Sequence, residues 1–181
     1  HLSIRRQRQM CIRDSSMYCE MPQMVLLPET VEQVQQIMRL CHAEEVPVVA
    51  RGAGTGLSAG AMPHAGGVLL SLAKFDRILS IDPKARSVRL QPGVRNLAIS
   101  EAAAEHGLYY GPDPSSQIAC TIGGNVAENS GGVHCLKYGL TVHNLLSVEV
   151  VTAEGERVTI GSNGYDTVSY THLTLPTNRE V

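Results

Sequence analysis

The sequence predicts an α+β domain built as two lobes, and three observations predict it. Strand patterns alternate with amphipathic helix patterns in two successive series. Each series runs into a long glycine-rich loop, and the patterning pauses near residue 110. The 181 residues suffice for one ordinary domain or two small lobes, and 43% hydrophobic against 18% charged residues leaves enough apolar material for a packed core.

In the first series, residues 24–27 are a short apolar run stopped by Pro28, as a strand is. Thr30 and Gln33 form a capping-box pair that opens a helix over residues 30–44, with Val31, Val34, Ile37, Met38 and Cys41 on one face. Residues 46–50 are a β-branched run that reads as a buried strand, and a glycine-rich loop fills 52–67. Strands follow at 68–72, 78–81 and 88–90, with Asp82-Pro83 as the turn between the last two. A second helix spans 94–106, apolar at Val94, Leu97, Ala98 and Ala102 and stopped by Gly107. Residues 112–132 form the second loop, and 148–152 and 158–160 frame Glu154-Gly155 as a hairpin.

The two ends do not share this consistency. Residues 1–17 are basic and unpatterned, and 168–181 alternate without a matching partner, so both are expected to be non-native ends of the adapter read-through kind. Fifteen Lys and Arg against 17 Asp and Glu give a net charge of −2, which argues against a nucleic-acid partner. No apolar run approaches the ~20 residues that cross a bilayer, and no apolar stretch follows Arg5, Arg6 and Arg8 as in a secretory signal. Five cysteines without a C-x-x-C pair point to a reducing, cytoplasmic setting rather than a disulfide framework. Neither the seven histidines nor His134, Cys135 and His143 match a zinc spacing; they read as loop and surface residues, with no metal site expected.

The first loop reads Arg51-Gly52-Ala53-Gly54-Thr55-Gly56-Leu57-Ser58 and follows directly on a strand. Glycines at alternate positions let successive backbone N–H groups converge on an anion such as a diphosphate. The dinucleotide fingerprint G-x-G-x-x-G fits Gly52 and Gly54, with Asp76 near the distance of its acidic residue. Leu57 occupies its third glycine, however, and residues 61–67 cannot form the helix that would hold a pyrophosphate. Alone, this loop is as well read as a surface turn, and Arg51 as well read as a solvated charge. The second loop holds two Gly-Gly pairs, two Asn and Ser115-Ser116 but no nucleophile paired with a base. Such a loop binds a polar cofactor and leaves the chemistry to it.

Four stretches carry a family resemblance: 51–58, Pro112-Asp113-Pro114-Ser115-Ser116-Gln117, Ile122-Gly123-Gly124-Asn125-Val126-Ala127-Glu128-Asn129, and Gly131-Gly132-Val133-His134-Cys135-Leu136-Lys137-Tyr138-Gly139. In this order they resemble the FAD-binding (PCMH-type) domain of the vanillyl-alcohol oxidase and p-cresol methylhydroxylase superfamily. Within it they are most similar to glycolate oxidase D subunits and FAD-linked D-lactate dehydrogenases. The resemblance covers about residues 18–167 and implies a two-lobed FAD domain, incomplete on its C-terminal side, with the cofactor between the lobes.

It further implies that Gly52, Ala53, Gly54, Thr55, Gly56, Leu57 and Ser58 wrap the FAD diphosphate, and that Pro92, Gly93 and Val94 line the cofactor path. Pro112, Asp113, Ser115 and Ser116 would lie along the adenine and diphosphate side. Gly123, Gly124, Asn125, Asn129, Gly131 and Gly132 would pass the ribityl chain and flavin ring. Some members tether the flavin through a His in an Arg-x-Gly-Gly-His motif; Thr55 stands at that position, which implies non-covalent FAD. The parent enzyme would pass a hydride from a D-2-hydroxy acid (glycolate or D-lactate) to flavin N5. Companion glycolate oxidase subunits could carry it to the inner membrane surface. The family's Gly-Ser-Glu-Gly segment and its substrate domain are not in this sequence, so no catalytic residue is assigned. Two alternatives stay open: a truncated fragment unable to retain FAD, and a nicotinamide-nucleotide module, which would require a helix immediately after Gly56.

Overall fold

In the computed structural model, which describes residues 12–13, 19–161 and 171–174, the chain divides into two units: His1–Phe75 with Val150–Val158, and Asp76–Glu149 with Thr159–Val181. The pause near residue 110 is therefore not a boundary. It falls inside the second unit, where the chain passes from a helix with one buried face into the second loop.

The first unit begins with a two-residue antiparallel ladder, β1 (Ile12–Arg13) on β2 (Cys19–Glu20). Its sheet contains β3 (Met24–Leu26), β4 (Val48–Arg51) and β5 (Val68–Ser71) in the order β3-β5-β4, all parallel. Strands that run parallel in one sheet need a long crossover, usually a helix. Between β3 and β4 that helix is α1 (Val31–Ala43). Thr30 caps it, its hydroxyl accepting from Gln33 N–H at 3.3 Å, while the Gln33 carboxamide reaches past the cap to accept from Glu29 N–H at 2.7 Å. Val34, Ile37 and Cys41 are the buried face, packed with Leu26, Leu70 and Phe75.

The crossover from β4 to β5 contains no helix: residues 52–67 are turns, bends and irregular backbone. That removes the nicotinamide-nucleotide alternative, whose phosphate site is a helix N-terminus directly after the glycines. β4 also differs from expectation, being half-buried along most of its length. It is an edge strand, whereas central β5 buries both faces, with Leu69 1% and Leu70 3% exposed. Each such leucine contributes about 1.5–3 kcal/mol of burial.

The second unit opens with an antiparallel hairpin, β6 (Ile78–Asp82) and β7 (Ser87–Leu90). Asp82 Oδ1 accepts from Lys84 N–H at 2.9 Å and Ala85 N–H at 3.0 Å, the local bonding that makes Asp-Pro a turn. Helix α2 (Asn96–Ala103) runs into a 3-10 turn (Ala104–His106) ended by Gly107 at φ 69°. Its buried face is Asn96, Ile99 and Ala103, one step round from the Leu97, Ala98 and Ala102 face predicted. A polar residue at Asn96 hides this face from a hydrophobicity pattern. Asn96 is buried because its side-chain Nδ2 donates to Pro112 O and its N–H to Cys120 O, both at 3.0 Å.

The stretch predicted as one loop, 112–132, contains a helix, α3 (Ile122–Glu128), and a one-turn helix, α4 (Cys135–Tyr138), follows it. A 3-10 turn (Thr141–Asn144) leads into β8 (Leu145–Val151), which with β9 (Arg157–Ile160) forms the expected hairpin. Its turn is fixed within the first unit: Gly155, at φ 74°, offers its carbonyl to Gln35 Nε2 at 2.9 Å and Arg39 Nη2 at 3.1 Å. In the second unit Val88, Leu90, Val94, Ile99, Ala103, Leu108, Tyr110 and Ile122 form one core. The tail expected to lack a partner has two. Strand β10 (Thr171–Thr174) lies antiparallel to both β7 and β8, giving the order β6-β7-β10-β8-β9.

Candidate functional site

In the first unit the loop after β4 presents main-chain donors. Gly52, Gly54, Thr55 and Gly56 are half-buried, and Ala53, Leu57 and Ser58 are exposed. Among the described residues, the N–H groups of Gly52, Ala53, Thr55, Gly56, Leu57 and Ser58 donate to no protein acceptor. Gly54 stands at φ 69°, and the Arg51 guanidinium occupies the space its Cβ would take. Arg51 is half-buried and hydrogen-bonded or paired, not a freely solvated charge. A row of unused N–H groups beside a fixed guanidinium favours a ligand carrying negative charge.

In the second unit four predicted segments come together. Gly123 N–H donates to Pro92 O at 2.8 Å and Ile122 N–H to Val94 O at 2.9 Å, so the 92–94 segment lies along the start of α3. Val94 is buried, and Pro92 and Gly93 are half-buried. Gly132 abuts Asp113, since a Cβ there would meet the Asp113 carbonyl and Oδ1. Pro112 is buried, Ser116 half-buried and Ser115 exposed; the Ser116 carbonyl accepts from Ala119 and Cys120 N–H, both at 2.8 Å.

The glycines divide by purpose. A Cβ on Gly123 would stand 2.7 Å from Pro92 Cβ, and one on Gly131 2.5 Å from Leu140 Cδ2, so packing accounts for both. Gly124 would meet only Thr121 Oγ1, at 3.6 Å, an ordinary contact. The next residue of α3, Asn125, is 4% exposed and its Nδ2 has no hydrogen-bond partner. A buried amide donor left unused costs about 1–3 kcal/mol, and it fits a polar ligand group. Taken separately, the free N–H groups of the first loop suit an anionic group such as a diphosphate, and the Asn125 amide in the second unit suits a hydrogen-bond acceptor.

Asn129 plays a second part: at φ 50° it ends α3, and its Oδ1 accepts from Val142 N–H at 3.0 Å. Two features escaped the sequence. α3 was hidden by its glycines, poor helix formers, and the pairing of His134 with Asp113 spans residues no local pattern links. Burial pushes the Tyr110 hydroxyl up to about 12; it faces Thr141, whose own hydroxyl donates to Ser130 O at 2.7 Å, and it meets no partner in hydrogen-bond geometry. Burial also raises the Cys41 thiol. Among the described residues no three His, Cys, Asp or Glu gather as a metal site, and no helix is long and apolar enough to cross a membrane.

Residues 22–161 match the FAD binding domain family. The chain is 61% identical over 165 residues to glycolate oxidase subunit GlcD of Escherichia coli K12, covering 91% of this chain and 33% of that protein. It is 40% identical to the Bacillus subtilis subunit of the same name, over 82% of this chain and 33% of that one. It is 38% identical to a D-lactate dehydrogenase of Anaerostipes hadrus, over 85% and 32%. The chain thus spans about a third of the length of the curated relatives it matches. A solved alkyldihydroxyacetonephosphate synthase superposes with a TM-score of 0.74 at 20% identity, over 88% of this chain and 32% of that one, a likeness of fold. The fold is that of a PCMH-type flavin domain, its cofactor is FAD, and the chain belongs to the FAD-binding domain family.

Proposed function

We propose that this chain is the FAD-binding part of a flavin-dependent D-2-hydroxy-acid dehydrogenase acting on glycolate or D-lactate, with FAD held non-covalently. The observation that carries the reading is the set of unused donors: six free N–H groups over 52–58 and the buried Asn125 amide. The N–H groups of 52–58 would bind the diphosphate, with Arg51 adding charge. Pro112, Asp113, Ser115 and Ser116 would border the adenine and diphosphate side. Pro92, Gly93, Val94, Gly123, Gly124, Asn125, Asn129, Gly131 and Gly132 would border the ribityl chain and ring, Asn125 donating from its buried amide. When bound, FAD supplies the hydride acceptor for oxidation of the hydroxyl-bearing carbon. The residues here bind and orient, and none is assigned a proton. Thr55 has no nucleophilic nitrogen with which to tether the flavin. The likeness to glycolate oxidase subunits and D-lactate dehydrogenase supports the substrate class, and the word subunit in the relatives' name supports companion subunits; a cytoplasmic place at the inner membrane surface belongs to the proposal.

The test is a visible absorption spectrum of the purified chain before and after loading with FAD and washing. Flavin retained by the folded protein and released on acid precipitation is the expected result. Flavin that precipitates with the protein overturns the non-covalent assignment, and a colourless protein after loading overturns FAD retention by this chain.

A further inference from the structure

His134 reads from the sequence as one loop histidine among seven, yet it is the residue that grips Asp113. Its Nδ1 lies 2.7 Å from Asp113 Oδ2, and its backbone N–H donates to Asp113 Oδ1 at 3.3 Å, so one residue engages both carboxylate oxygens. With the carboxylate ionised, Nδ1 carries the proton and donates. Both ends of this link stand on constrained backbone. Asp113 lies between the buried prolines Pro112 and Pro114, which fix φ on either side, and the Pro112 carbonyl is bound by buried Asn96. On the other side the His134 carbonyl accepts from Lys137 and Tyr138 N–H, both at 3.0 Å, starting α4. The imidazole also sits 6.4 Å from the Tyr138 ring, which is edge-on to Tyr109 at 5.7 Å. Gly132 completes the fit, because any side chain there would collide with Asp113.

We propose that His134 is a positioning residue of the cofactor site, locking the 112–116 segment onto the 131–134 segment through Asp113 so that both are in place before the ligand arrives. The proposal rests on the FAD reading above. Both segments are ones assigned to FAD, and Asp113–His134 is the only side-chain link between them among the described residues. The pair is open to water, with side-chain exposures of 58% for His134 and 21% for Asp113. Its contribution to global stability is therefore small, and its effect is on local order, which is what pre-organises a binding loop.

The test uses the purified chain with H134A, H134N and D113N. Asn at 134 can place an amide N–H where Nδ1 stands and serves as the conservative rescue. Hydrogen exchange on the ligand-free proteins is measured first, at the amides of His134 or its replacement and of Cys135. Exchange about tenfold faster in H134A and D113N, restored towards wild type in H134N, is expected, with little change in Tm. FAD affinity from flavin fluorescence follows, with a loss of about fivefold in H134A and less in H134N, the figure for a charge-assisted hydrogen bond discounted for exposure. Unchanged exchange in both H134A and D113N overturns the clamp. Faster exchange with wild-type FAD affinity overturns its role in the cofactor site. A wild-type chain that binds no FAD defeats the functional reading, while the exchange data still decide whether His134 holds the two segments.

Discussion

Gly123 is pressed against Pro92: its N–H donates to the Pro92 carbonyl at 2.8 Å, and a Cβ on it would stand 2.7 Å from Pro92 Cβ. Its neighbour Gly124 has only Thr121 Oγ1, 3.6 Å from where its Cβ would be. Two adjacent glycines in one helix therefore make opposite predictions. G123A must push Pro92 away or bend α3, and a cost of about 1–3 kcal/mol is expected from urea denaturation. G124A removes a flexible helix residue where a Cβ makes only an ordinary contact, so the fold should hold or gain up to about 1 kcal/mol. Yet G124A should lose FAD, because its methyl enters the space left for the ligand. A G124A protein with wild-type FAD affinity places the cofactor elsewhere.

Much of this was legible because the signals are local. The Thr30–Gln33 cap, the Asp82 turn, the Gly107 stop and the Glu154-Gly155 hairpin each rest on residues within four of one another, and each stands where the sequence puts it. What failed was whatever depends on distant partners. The buried face of α2 turns on Asn96, made acceptable inside by a carbonyl at Pro112. β4 looks like an interior strand but lies at an edge because β5, later in the chain, takes the centre. α3 reads as loop because Gly123-Gly124 weakens it, and packing on Pro92 holds it in place. In the site, the glycine loops were visible as motifs; the His134–Asp113 link was not, since only the fold brings them together.

Asn125 offers a cleaner separation of folding from binding. Its Nδ2 is buried without a partner, so N125A removes a group that does not hold the fold together. Stability should change by less than about 1 kcal/mol, whereas FAD affinity should fall about tenfold, the worth of one buried hydrogen bond to a ligand. Flavin fluorescence titration beside a urea curve reads both. Equal losses in the two measurements would assign Asn125 to the core alone.

Tyr110 makes a prediction about alkaline pH. Burial raises its hydroxyl to about 12 in the folded chain from the usual 10. The unfolded chain therefore releases this proton first, and the stability the group contributes is fully present below pH 10 and lost as pH rises towards 12. Cys41, also raised by burial, acts in the same sense at its own alkaline pH. Y110F should leave the urea midpoint nearly unchanged at pH 7, because the hydroxyl has no partner in hydrogen-bond geometry, and should flatten its decline above pH 10. An identical alkaline decline in Y110F would show that other groups govern it.

The strand at the end of the chain tests whether a segment expected to be foreign is part of the sheet. β10 pairs through Thr171↔Leu90, His172↔Arg89, Leu173↔Val88 and Thr174↔Ser87 on one side, and through His172↔Ser147 and Leu173↔Leu145 on the other. Ladder pairing draws on backbone groups, so a Thr-rich segment can enter such a position whatever its origin. Deleting residues 168–181 would leave the β10-facing backbone groups of β7 and β8 to water, although Val88 and Leu90 are each only 1% exposed. Faster hydrogen exchange across 87–90 and 145–147 and a Tm lower by several degrees are expected, the size of shift that about 1 kcal/mol produces in a domain of this length. Unchanged exchange after the deletion would mean that β7 and β8 do not rely on this strand in solution, and that the second unit folds without it.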